Sequence, residues 1–143
     1  MEQDRGRLAA RVSAAALALL PVVALAQPAF QPPPDRFQTP SGNVHCQWGA
    51  GTLRCVVEAT RTPPAQAARC SPAWRGVLAL SVEGGAEAPC AAAPQTSEED
   101  FVLGYGARWE GPGITCRSEE SGLRCTNRAG HGFQAARSAV ELF

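Results

Sequence analysis

Two stretches of the chain carry the same alternation of apolar and polar positions, and each ends in a cysteine. Val44 to Cys55 reads VHCQWGAGTLRC and Ile114 to Cys125 reads ITCRSEESGLRC, so that each opens near one cysteine and closes on Leu-Arg-Cys. A period of two marks a strand with one buried face, and its return after a glycine-containing break marks a hairpin. Pairing Cys46 with Cys55 sets Gln47 opposite Arg54 and Trp48 opposite Leu53, and leaves Ala50-Gly51 for the turn. This register predicts an inward face of Val44, Cys46, Trp48, Leu53, Cys55 and Val57, and an outward face of His45, Gln47, Arg54 and Val56. The same rule turns Ile114, Cys116, Leu123 and Cys125 inward and Thr115, Arg117, Arg124 and Thr126 outward, with Ser121-Gly122 near the second turn. A slip of one residue would reverse every assignment.

Between the hairpins, Val77 to Val82 reads as a buried strand bounded by Gly76 and Gly84-Gly85, and Phe101 to Tyr105 as a further strand. Thr60 to Ala68, with Pro63-Pro64, reads as loop. No amphipathic period follows Ser97-Glu98-Glu99-Asp100, so a solvated acidic loop is expected there. The fold class is therefore mostly β: a small disulfide-stapled domain over residues 37–143, built on two similar β-hairpins, with little helix.

The N-terminal region has a different pattern. Arg5, Arg7 and Arg11 precede the apolar run Val12 to Leu25, which ends in Ala24-Leu25-Ala26. That order of basic, apolar and small residues predicts a signal peptide over 1–26, cleaved ahead of Gln27. The run is shorter than the roughly 20 residues of a spanning helix and contains Pro21, so no membrane span is expected after cleavage. Residues 27–36, with Pro32, Pro33 and Pro34, read as an extended tether. All six cysteines follow it, and an even number in an exported short chain predicts disulfides formed in an oxidising compartment, periplasmic or extracellular. The two equal hairpin spacings favour Cys46 with Cys55 and Cys116 with Cys125, which leaves Cys70 with Cys90.

Removing residues 1–26 takes away three Arg and two acids, leaving ten Arg against eleven Asp and Glu. A nearly neutral domain argues against nucleic acid or an anionic membrane held by bulk charge. Every base is Arg, so chemistry through a lysine Schiff base is excluded. There is no Gly-x-Ser-x-Gly elbow, His-Glu-x-x-His helix or phosphate-cradling glycine loop, and paired cysteines leave no thiolate. The absence of Cys-x-x-Cys spacing speaks against zinc, and no cofactor is implied. Of the two histidines, His131 stands between Gly130 and Gly132, where the ring is either presented to a ligand beside Asn127 and Arg137 or tucked under the turn while Phe133 enters the core. Outward Arg54, Arg117 and Arg124, with Arg128, form an anion-binding patch if the hairpins lie side by side, and otherwise a solvated surface.

Phe37-Gln-Thr-Pro-Ser-Gly-Asn43, Leu53-Arg-Cys55, Tyr105-Gly106, Gly122-Leu-Arg-Cys-Thr-Asn127, Gly130-His-Gly-Phe133 and Arg137 resemble a family of exported bacterial proteins that is a domain of unknown function. The resemblance runs from about Arg36 to Phe143 and implies class and location, with no catalytic or ligand residue to carry over. The expected function is a non-enzymatic binding or envelope-associated module for an envelope component, peptide or protein, using His131, Arg137, Asn127, Arg54 and Arg124. The alternatives are a small hydrolase or enzyme inhibitor with His131 as general base, and a purely structural exported domain.

Overall fold

Both hairpins form in the register set by their cysteines. In the computed structural model, which describes residues 31–143, strands β2 (Val44–Gly49) and β3 (Thr52–Val57) pair Cys46 with Cys55, Gln47 with Arg54 and Trp48 with Leu53. Strands β7 (Ile114–Glu119) and β8 (Gly122–Asn127) pair Cys116 with Cys125. The three disulfides are Cys46–Cys55, Cys70–Cys90 and Cys116–Cys125, and no thiol is free. The expected leader over 1–26 lies outside the described residues.

Each hairpin is the centre of a larger sheet. With β1 (Arg36–Gln38), β4 (Val77–Ser81) and β5 (Phe101–Val102), the first sheet has the order β4-β3-β2-β1-β5. With β6 (Arg108–Gly111), β9 (Gly132–Ala135) and β10 (Val140–Leu142), the second has the order β10-β9-β8-β7-β6. Among the described residues, all pairings between these strands are antiparallel except β1 with β5.

The internal likeness extends beyond the hairpins to four strands. Across the first sheet the row of partners is Phe37, Cys46, Cys55, Leu78, and across the second it is Trp109, Cys116, Cys125, Phe133. An aromatic side chain thus flanks each disulfide in both meanders, and all eight residues join one core. Phe37 stacks on Trp109 with ring centroids 5.2 Å apart, and Trp48 lies 6.0 Å from the same indole. The copies differ at the counterpart of Trp48, where Ser118 is fully buried with its Oγ unpartnered.

Three expectations change at the edges. Arg36 belongs to β1, so the domain begins before Phe37, and the end of the tether is fastened to it. The Trp109 indole N–H donates to Pro34 O at 2.8 Å, and the Trp48 N–H donates to Asp35 O at 2.7 Å; a buried indole needs such an acceptor. The strand expected over Phe101 to Tyr105 pairs only at Phe101 and Val102, both half exposed, because β5 has a neighbour on one side only. The loop at 60–68 contains a short 3-10 turn, Ala65–Arg69, and is held by the Cys70–Cys90 bridge and a Thr62–Ala139 contact. Residues Gln31–Phe143 form one compact unit.

Candidate functional site

At one end of the two sheets, the β1–β2 turn, Tyr105, the β7–β8 turn and the β9–β10 connection surround a half-open cleft of about 310 Å³. The β1–β2 turn is built by its own side chains. Thr39 Oγ1 accepts the Val44 N–H at 3.2 Å, Ser41 Oγ accepts the Asn43 N–H at 3.3 Å, and Gly42 takes a positive φ of 66° that its lack of a Cβ makes inexpensive. Asn43 is 4% exposed, and its Oδ1 accepts the Ala59 N–H at 3.1 Å. This fixes the amide plane, while no hydrogen bond among the described residues takes up Nδ2. Val44, Leu123 and Ala135 supply an apolar base, and Tyr105 is 49% exposed at the margin.

Arg137 enters the cleft from the β9–β10 connection. Its backbone O accepts the Arg61 N–H at 2.9 Å, and one guanidinium nitrogen reaches Ser41 O at 3.5 Å, across from the second sheet to the first. Among the described residues, no carboxylate lies within 4 Å of it, although Glu119 and Glu120 line the same cleft. A cation and an anion therefore share one concavity without neutralising each other.

The other residues singled out in the sequence stand elsewhere. His131 and Asn127 lie at the opposite end of β9 from Arg137. Asn127 is fully engaged: Oδ1 accepts the N–H groups of Ala129 and His131, both at 3.0 Å, and Nδ2 donates to Ser81 O at 2.9 Å and Gly84 O at 2.7 Å. It is a clasp between the sheets. The His131 residue is exposed rather than tucked under the turn, and no acid lies within ion-pair distance among the described residues. Phe133 does enter the core.

The hairpin arginines do not form one patch. The cysteine faces of the two sheets meet in the core, so Arg54 and the pair Arg117 and Arg124 point from opposite outer faces. On the second sheet, Arg108, Arg117 and Arg124 are directly paired across three strands. Arg117 holds Glu119 at 2.7 Å, and Arg124 lies over the Phe143 ring at 4.1 Å.

A family model matches residues 16–143. The chain belongs to DUF6636, a family of unknown function. The match begins ahead of Arg36 and takes in the cleft, both meanders and part of the expected leader. No curated protein and no solved structure matches the chain.

In this DUF6636 domain a second polar cluster escaped the sequence reading. Asp100, expected in a solvated loop, is half-buried, with its side chain turned inward and 7% exposed. The loop folds onto the outer face of the first sheet, where Gln38 Nε2 donates to Glu98 O and Asp100 O, each at 3.0 Å. Arg36 Nε lies 3.0 Å from one Asp100 oxygen, and the Ser97 N–H donates to the other at 3.1 Å. His45 Nδ1 is 3.5 Å from that second oxygen, and Nε2 donates to Gly42 O at 3.2 Å. Burial alone would raise the pKa of Asp100; the Ser97 N–H, the Arg36 guanidinium and the His45 ring outweigh it and hold the carboxyl below the usual carboxylate value. His45 is thus outward in the pleat, yet buried. Among the described residues no three potential ligands gather to hold a metal, and no helix is long and apolar enough to cross a membrane.

Proposed function

We propose that this protein is an exported, non-enzymatic binding module that takes a small polar ligand in the cleft beside Arg137. One observation carries the reading: the Arg137 guanidinium and the Nδ2 of buried Asn43 offer unused donors to a single cleft with an apolar base. Concave, mostly preformed sites with a few convergent polar groups are where small ligands bind. The three disulfides suit an oxidising compartment and make the walls rigid. The basic-apolar-small order of residues 1–26 supports delivery by a cleaved signal peptide to the periplasm or the medium, where an envelope component or peptide is the natural source of ligand.

The test is a fragment screen of the secreted protein by amide NMR. Bound fragments should move resonances of residues 41–43 and 135–138, and Arg137→Ala should abolish those shifts while His131→Ala leaves them intact. Shifts that map to the His131 turn, or that survive Arg137→Ala unchanged, would overturn the assignment.

A further inference from the structure

We infer that the cleft recognises a small zwitterion, a free amino acid or dipeptide, with its carboxylate on Arg137 and Asn43 and its ammonium on Glu120; this rests on the cleft being the ligand seat. The charges argue for it first. Arg137 and Glu120 line the same cavity, and among the described residues Arg137 has no carboxylate within 4 Å. Glu119 is already engaged, by Arg117 at 2.7 Å and Ser121 at 3.5 Å, so Glu120 is the carboxylate left to the ligand. An anion alone would gain Arg137 but meet Glu120 as a like charge, and a phosphate dianion would meet it more strongly. A molecule with both signs is attracted at both ends.

The donors are suited to a carboxylate. A guanidinium offers a planar fork that matches two carboxylate oxygens. Beside it, the Asn43 amide is held in one orientation by Ala59, which leaves Nδ2 positioned for a further bond without rotation. Nδ2 is not among the buried polar atoms that lack a partner, so it is open to solvent and free to bond a carboxylate oxygen.

Shape and lining set the size of the ligand. Val44, Leu123 and Ala135 close the floor as part of the core, and half-exposed Tyr105 at one margin is the apolar surface left for a ligand side chain. About 310 Å³ is at the low end of small-molecule sites, ~300–1,000 Å³, which is room for one or two residues.

The experiment titrates the isotope-labelled secreted protein with L-leucine, N-acetyl-leucine, leucine amide, galacturonate and inorganic phosphate. Leucine should shift resonances of residues 41–43, 120–122 and 135–138. Blocking either terminus should weaken binding roughly tenfold or more, as should Arg137→Ala and Glu120→Gln, both exposed positions whose spectra report an intact fold. If N-acetyl-leucine, galacturonate or phosphate binds there as tightly as leucine, or Glu120→Gln changes nothing, the zwitterion is overturned and the cleft stands as a seat for an anion. If no probe moves the cleft resonances, both the zwitterion and the cleft as ligand seat fall.

Discussion

A carboxylate turned away from water is tolerated only where donors replace that water, and the Asp100 side chain has the Ser97 N–H and the Arg36 guanidinium. Because its pKa is lowered on folding, its contribution is present above the ordinary carboxylate value and is lost as pH falls through the depressed folded value. Asp100→Asn should therefore cost about 1–3 kcal/mol at neutral pH, and urea melts of the two proteins should converge in acid. A difference that persists unchanged at the lowest pH would refute the ionic account. Nothing local announces this cluster: Arg36 and Gln38 are 64 and 62 positions from Asp100, and Ser-Glu-Glu-Asp is polar enough to look solvated. Alternation placed His45 on the correct side of the pleat, but a period of two does not say which loop will cover that side. Arg137 was legible as a candidate by type, whereas Asn43 was hidden inside a turn motif and owes its role to Ala59 across the fold.

At the level of elements, the hairpins were readable because everything that defines them is short-range: strand period, glycine turn and cysteine spacing. The outer strands were harder. β1 and β6 are only 3 and 4 residues long, too short to show a period, and β9, which opens on Gly132, and β10 are short strands separated by the Ala136–Ala139 turn. Each hairpin bridge closes a small loop, so replacing both Cys46 and Cys55, or both Cys116 and Cys125, by Ala should cost about 2.5 to 3 kcal/mol in chemical denaturation. Equal costs for the two pairs are expected from their equal sequence separation of 9 residues; a much smaller loss would show that the reduced hairpin is already held by its strands.

On the scale of the whole molecule, the two meanders stabilise each other. Each presents its disulfide and flanking aromatics to the other, so neither face is buried alone, and Phe37 on Trp109 is a point of contact between them. Phe37→Ala should cost about 3–5 kcal/mol, followed by fluorescence of the neighbouring indoles, and should lower the stability of both halves together rather than melt one. The sequence contained the repeat but not its arrangement: side by side and face to face both satisfy the alternation, and only tertiary packing separates Arg54 from Arg124. The order of the bridges has a consequence for how the protein is made. Each cysteine is joined to the next one along the chain, 46 to 55, 70 to 90, 116 to 125. If the chain is exported as proposed and oxidised as it emerges N-terminus first, each cysteine meets its native partner before any wrong one, and an oxidant suffices without an isomerase.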